Sequence, residues 1–375
     1  MATVLVAMSG GVDSSVAAAL LVEQGHRVIG ATMKTFCYSD ENSAGKTCCG
    51  LDGIMDARRV AESIGIPHYV FDMEESFGKA VIDDFVSEYA SGRTPNPCVR
   101  CNSNTKIPDL LRRARKLGCD AIATGHYARA VSTPARADAS DISARGAPTD
   151  SMSAANVRIL RGVDAGKDQT YFLWGVPLEV LPYLRFPVGE LTKPEVRARA
   201  RQLGLATAEK PESQEICFVP SGDYAEFLGR RLGREHAALQ PGALVTSDGS
   251  VIGEHGGYAR YTVGQRKGLG GGRGRALYVL GVHADINEVV VGSHDDLLRS
   301  DVTIRELNWL TTPPHAGETV RAQLRHRAPA VEAHVDRIRN GELTLRLLEP
   351  QRAVTPGQSG VIYRGDQLVG GGRIA

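Results

Sequence analysis

Ser9-Gly10-Gly11-Val12-Asp13-Ser14-Ser15 stands between an apolar run, Thr3 to Met8, and an apolar stretch of helical character. Successive glycines let the backbone turn tightly and aim its N–H groups at an anion. A helix that follows adds its positive N-terminal end. The chemistry this predicts is phosphate binding, with Ser9, Ser14 and Ser15 as hydroxyl donors. Asp13 repels phosphate, so its task is either to hold a magnesium ion or to orient the loop. The run lacks the Gly-Lys-Ser/Thr ending of a Walker loop, so it holds no lysine to grip a terminal phosphate. The bland alternative is a Gly-rich turn that only links strand to helix. The flanking serines and the strand–loop–helix context favour binding.

Thiols are the second chemical signal. Seven cysteines are an odd number in a chain whose N-terminus reads as a first strand and not as a signal peptide. Thiol chemistry or metal binding is therefore expected over a disulfide framework. Cys98 and Cys101 lie in Arg93 to Asn102, read as a stiff loop broken by Pro95 and Pro97. Arg100 and Lys106 favour a thiolate at Cys101. Cys217 lies far along the chain, in Ser213-Gln214-Glu215-Ile216-Cys217-Phe218, within reach of the same sheet edge. Cys98-x-x-Cys101 suits zinc, but no second close pair completes a standard site. Cys98, Cys101 and Cys217 together suit an iron–sulfur cluster. Cys119, before an apolar strand, reads as a core residue, as does Cys37. Cys48 and Cys49 read as part of a mobile loop.

Other residues have plainer alternatives. Met33 ends the second strand beside the loop and suits either an adenine contact or the core. Gly125 allows backbone to approach a nucleotide. His126 is either a ligand contact or a satisfied structural histidine. Lys167, Asp168 and Gln169 could meet RNA or open a helix. Arg112, Arg113, Arg115 and Lys116 form one basic cluster, and Arg321, Arg325, His326 and Arg327 another. Such runs are solvated faces or phosphate contacts. Gln265 to Gly272 reads as a flexible basic loop.

These residues need elements to position them. To about residue 130 strands alternate with helices: Thr3–Met8, Val16–Gln24, Arg27–Met33, Ile54–Ile64, His68–Phe71, Ile107–Leu117 and Ala121–Thr124. That alternation predicts an α/β fold with a parallel sheet. Residues 131–156, poor in large apolar side chains, are expected to be a disordered insertion. Thr192-Lys193-Pro194-Glu195 predicts a capping box and a helix to Leu203. Beyond about 218, short apolar runs alternate with Gly-rich turns, which predicts a small β-rich central domain and a C-terminal β-barrel. The expected domains are 1–217, 218–295 and 296–375. No apolar run reaches membrane-spanning length, so a cytoplasmic protein without a membrane partner is expected. A net charge of +1 excludes a strong global field but leaves local basic patches for nucleic acid.

The loop resembles the PP-loop of the ATP pyrophosphatases, which cleave ATP to AMP and pyrophosphate. Further motifs are Thr94-Pro95-Asn96-Pro97 with Cys101-Asn102, Ala123 to Arg129, Lys167 to Leu173, Ser213 to Phe218 and Tyr261 to Gly268. With them, nearly the whole chain resembles the bacterial tRNA-specific 2-thiouridylases. The resemblance implies ATP bound with Mg2+ at Ala7, Met8, Ser9, Gly10, Gly11, Val12, Asp13, Ser14, Met33 and Gly125. It implies tRNA contacts at Asn96, Pro97, Cys98, Lys167, Asp168, Gln169, Arg325 and His326. Cys217 would carry a persulfide and Cys101 would be its partner, leaving a disulfide after sulfur transfer to an adenylated wobble uridine. A cysteine desulfurase or sulfur relay protein would donate the sulfur. The family commonly has Asp where this chain has Cys98. The rival readings are a PP-loop ligase or amidotransferase acting on a small molecule, and a non-catalytic RNA-binding protein that senses nucleotide.

Overall fold

The computed structural model describes residues 1–36, 51–132, 157–212, 216–219, 222–269 and 276–375. The expectations for Cys37, Cys48, Cys49, Ser213 to Glu215 and Gly270 to Gly272 fall outside them, as does most of the 131–156 insertion.

The first strands are β1 (Thr3–Ala7), β2 (Arg27–Lys34), β3 (His68–Asp72) and β4 (Ala121–Thr124), and each neighbouring pair is parallel. Val4 to Ala7 are buried on both faces, as a continuous apolar run in a covered parallel sheet requires. β1 feeds α1 (Val12–Glu23). This helix begins four residues before the expected Val16. Asp13, Ser14 and Ser15 hid its first turn, because their polarity masks the apolar spacing. Next come α2 (Leu51–Ser63), then α3 (Glu74–Phe77), which runs through a π-helical turn, Gly78–Ile82, into α4 (Asp83–Ala90).

The Pro-broken segment is irregular over 93–96 as expected but helical from Pro97 on, where a loop was also expected. α5 (Pro97–Arg100) continues through a π-helical turn, Cys101–Lys106, into α6 (Ile107–Lys116). Pro97 sits at the start of α5, where its missing N–H costs nothing. Asn96 caps it, accepting from the Val99 N–H at 3.4 Å.

β5 (Ala128–Ser132) and β6 (Val157–Arg161) pair antiparallel. Val131 and Ser132 thus belong to a strand, although the insertion was expected to start at 131. Their backbone groups are paired opposite Arg158 and Val157. β7 (Leu184–Arg185) extends the parallel sheet to the order β3-β2-β1-β4-β7. α7 (Lys193–Gln202) starts with the expected Thr192/Glu195 capping box.

After α8 (Tyr224–Leu232), β8 (Gly242–Thr246), β9 (Val251–His255), β10 (Tyr278–His283) and β11 (Glu288–Gly292) form a sheet of order β10-β11-β8-β9. The last six strands are β12 (Leu298–Trp309), β13 (Thr319–Gln323), β14 (Val331–Arg339), β15 (Glu342–Arg352), β16 (Ser359–Arg364) and β17 (Gln367–Ile374). They close on themselves through β12–β17 pairing, giving the expected antiparallel barrel with no free edge. β9, β12 and β17 were not legible as strands, because exposed polar residues or glycines dilute their apolar pattern.

The α/β part and the barrel are joined. Gln367 of β17 pairs with Leu160 of β6, so a hairpin of the α/β part extends the barrel sheet. The Thr94 N–H donates to Pro356 O at 2.9 Å, and Gln358 Nε2 donates to Thr94 O and Pro95 O at 3.1 Å each. Arg373 Nη atoms meet Asp84 at 2.7 Å and Glu88 at 2.6 Å, and Arg100 bridges Asp84 and Glu306. The barrel therefore grips the segment that leads into α5.

Gly357 is the tightest point of that grip. It has φ +89°, and a Cβ there would lie 2.8 Å from Thr94 O. Gly341 has φ +74° but open space around it. Both alanine variants carry a left-handed backbone cost of about 1–2 kcal/mol. Gly357→Ala also crowds Thr94, so it should lower the unfolding temperature clearly more than Gly341→Ala in thermal melts. Equal melts would show that the contact does not hold the parts together.

Candidate active site

β2 and β3 lie on one side of β1, and β4 and β7 on the other. The chain thus reverses direction across the sheet between β1 and β4, and the crevice beyond their C-terminal ends is where open α/β sheets bind ligands. The Gly10-Gly11 loop leaves β1 there, and Gly125-His126 leaves β4 beside it.

Gly10 has φ +72°, a conformation only glycine adopts cheaply, and a Cβ there would overlap the Gly53 carbonyl. Gly11 caps α1 in extended conformation without a side-chain cap. The first amides of α1 have no acceptor inside the helix and face the crevice with its positive end. Ser14 Oγ and Ser15 Oγ donate to Gly11 O at 3.0 and 2.9 Å, and Ser9 N donates to Ser14 Oγ at 3.2 Å. Without a bound anion these hydroxyls brace the loop. Gly125 lets two backbones touch: a Cβ there would lie 2.6 Å from Ser14 N. Ala7, Met8, Val12 and Met33 have buried side chains that support the loop from below.

Asp13 is the loop's charged residue, and it is already occupied. Lys193 Nζ donates to its two oxygens at 2.7 and 2.9 Å, and Tyr127 OH donates to Oδ1 at 2.8 Å. Burial, then Asp13, push the Tyr127 hydroxyl well above its ordinary range, so it stays a donor. This arrangement is the loop-orienting alternative. Lys193 also reaches Glu212 at 3.0 Å, which Lys167 holds at 2.8 Å. Lys210 Nζ donates to Gly10 O at 2.9 Å and to Asp56 at 2.6 Å. In a trans peptide C=O and N–H point opposite ways, so holding Gly10 O outward turns the Gly11 N–H inward. Lys193, Lys210, Glu212 and Tyr127 were missed as loop partners. Tyr127, Lys193, Lys210 and Glu212 lie more than a hundred positions from the loop, and no spacing signals such contacts.

Of the thiols, Cys98 is exposed, and Cys101 and Cys217 are half-buried. Cys101 opens the π-helical turn, a widened geometry common at functional sites, and Thr105 Oγ1 lies 3.8 Å from its sulfur. Cys101 and Cys217 border one apolar cluster that includes Phe77, Phe85 and Phe218. Phe218 fixes the Cys217 backbone, its ring meeting Phe85 edge-on at 5.1 Å and Phe77 at 5.8 Å. Arg100, expected to act on Cys101, is held by Asp84 and Glu306. Cys119 packs against the core, and burial raises its thiol pKa, as a core residue should. Among the described residues no three His, Cys, Asp or Glu side chains are placed to hold a metal. The iron–sulfur reading of Cys98, Cys101 and Cys217 and the zinc reading of Cys98 with Cys101 do not fit this arrangement.

The segment 167–173 ties the site to the barrel. Gln169 exchanges hydrogen bonds with the Tyr127 backbone, both 3.0 Å. Asp168 turns inward to Arg161 at 2.6 Å and to Thr170. His326 stacks near Phe172 at 4.5 Å and Tyr171 at 5.8 Å, and burial with Arg327 lowers its pKa, keeping it neutral. His126 is buried and hydrogen-bonded to Thr124 Oγ1 at 2.7 Å, and desolvation holds its pKa well below normal. It is a satisfied structural histidine. Arg113 lies over Phe71 and Arg115 over Tyr183, so half of that basic cluster is packing.

A nucleotide-binding α/β domain followed by two β-rich units is the class this geometry defines. Residues 2–221 match the tRNA methyl transferase HUP domain, 226–293 the tRNA methyl transferase PRC-barrel domain, and 299–374 the aminomethyltransferase beta-barrel domain. The tRNA-specific 2-thiouridylase of Geobacter metallireducens is 48% identical over 99% of this chain and 96% of its own length. That of Rhodospirillum centenum is 46% identical over 99% of this chain and 91% of its own. The chain belongs to the tRNA-specific 2-thiouridylase family, and it is an enzyme of that family. A solved 4-thiouridine synthetase–RNA complex with bound ATP is similar at TM-score 0.33 and 14% identity, over 62% of this chain and 51% of that one. Among the described residues no helix is long and apolar enough to cross a membrane.

The Glu212 contacts predict a pH dependence. Hydrogen bonding from Lys167, then Lys193, lowers its pKa from 4.5 to about 2. A depressed carboxyl contributes stability above its unfolded pKa and loses it as pH falls through the folded one. The stability gap between wild type and Glu212→Gln, from urea unfolding, should be constant above pH 4.5 and shrink toward about pH 2. A gap undiminished across that window would contradict the ion pairs.

Proposed function

We propose that this enzyme replaces the 2-oxygen of a wobble uridine in tRNA with sulfur, using ATP to activate the base. One observation carries the reading: a tight glycine loop joins the C-terminal end of β1 to the start of α1, and two thiols far apart in the sequence, Cys101 and Cys217, border one apolar cluster of the same chain. ATP is a co-substrate of the loop, its phosphates facing the first amides of α1. Attack of the uridine 2-oxygen on the α-phosphorus releases pyrophosphate and leaves an adenylated base, with loop amides stabilising the charge that develops. The terminal sulfur of a Cys217 persulfide then attacks C2. Cys101 attacks Cys217 Sγ, the S–S bond breaks toward the transferred sulfur, and AMP departs with the C–O electron pair. A Cys101–Cys217 disulfide remains, and an external thiol reductant restores it with two electrons. Magnesium would arrive with the nucleotide, held largely by its phosphate oxygens.

Base access supports an RNA loop as substrate, since C2 of uridine is reached only when the base is unstacked. Asn96, Pro97 and Cys98 lie at the start of α5, where Cys98 is exposed and Pro97 buried, and Lys167 and Arg325 supply charge. Asp168 and Gln169 shape the segment between them. His326 contributes as a neutral ring. The sulfur donor is a persulfide-bearing protein such as a cysteine desulfurase or relay protein. A small-molecule ligase would need neither the distant thiols nor the barrel that grips the segment leading into α5.

Nucleoside mass spectrometry after reaction with ATP, tRNA and a sulfur donor tests this. Wild type and Cys119→Ser should form 2-thiouridine, and Cys101→Ser and Cys217→Ser should not. Cys217→Ser should still release pyrophosphate with tRNA, because the thiol acts after activation. Pyrophosphate release independent of tRNA would favour a small-molecule enzyme, and no release at all a binding protein.

A further inference from the structure

The loop contains no lysine, yet the fold delivers one. Lys193 begins α7 and its side chain is 9% exposed. Its ammonium touches both oxygens of Asp13, in the first turn of α1, and Glu212 at 3.0 Å. The Tyr127 ring lies beneath it at 5.8 Å. Two carboxylates, Asp13 and Glu212, are balanced by two ammoniums, Lys193 and Lys167. Burying such a group is seldom the most stable choice, because well-packed apolar residues often serve as well. The pair is therefore better explained by what its charge can do. Lys210 holds the Gly10 carbonyl as well as Asp56, so moving its ammonium would release the loop backbone, whereas Lys193 contacts carboxylate oxygens that phosphate oxygens can replace.

We propose that Lys193 is the phosphate-gripping cation of the nucleotide site, held ready by Asp13 and Glu212. The inference rests on the reading of the loop as the ATP site. A triphosphate carries more charge than either carboxylate and arrives against the same helix end. Rotation of the four-carbon stem moves the ammonium from Asp13 to the β- and γ-phosphate oxygens, the part that leaves as pyrophosphate. A compact ammonium on a flexible stem suits this exchange better than a planar guanidinium. AMP lacks those phosphates and gains nothing from it.

Equilibrium binding of ATP and of AMP to the full chain separates the outcomes. Lys193→Met should weaken ATP by about tenfold or more, the loss of one charge-assisted contact, and leave AMP within about twofold. Glu212→Gln should tighten ATP by about two- to fivefold, because the ammonium loses a competitor. A purely structural Lys193 would weaken ATP and AMP together, and Glu212→Gln would then weaken ATP as well. Either result overturns the proposal, as does an ATP affinity unchanged in Lys193→Met. Lys193→Arg keeps the charge and should retain part of the ATP preference over AMP, which covers a Met variant that fails to fold. If wild type binds neither nucleotide, the reading of the loop fails first, a distinct result.

Discussion

The unpaired amides at the start of α1 are the constraint around which this protein is built. Helix geometry leaves them without acceptors, and a buried N–H without a partner costs free energy. The fold keeps them open to the crevice and stabilises everything around them. Gly10 takes a left-handed turn against Gly53, Lys210 draws the Gly10 carbonyl away, and the Ser14 and Ser15 hydroxyls close on Gly11. Gly125 allows the β4 loop to sit against Ser14. The result is a rigid cradle whose donors need no reorganisation when an anion arrives.

The thiols are held by different physics. Cys101 rides on a helix whose start is gripped by barrel backbone and by Gln358. Cys217 is fixed through Phe218 in an aromatic cluster shared with α3 and α4. Apolar packing places both sulfurs on one cluster, and the ion network of Arg100, Arg373, Asp84, Glu88 and Glu306 sets that helix against the barrel. The barrel thus serves the site by positioning a helix.

Much of this was legible in residue order. Continuous apolar runs marked β1 to β4, and the Thr192/Glu195 box marked the start of α7, because these signals depend on neighbours a few positions apart. The early start of α1 and the helical nature of Pro97–Arg100 were not legible. Their polar and proline residues obey capping rules that override apolar periodicity. β12 and β17 hid for a related reason: a strand in a closed barrel needs only one apolar face, and glycine suffices where strands crowd.

Residue order alone was enough for the phosphate loop and the α/β-then-β-barrel plan. These are local facts of backbone geometry and side-chain pattern. Tertiary structure alone decided that Asp13 is paired with Lys193, that Lys210 aims the loop, and that Cys101 and Cys217 border one cluster. Those contacts join residues more than a hundred positions apart. Charge pairing and apolar packing depend on distance in space, which no spacing along the chain encodes.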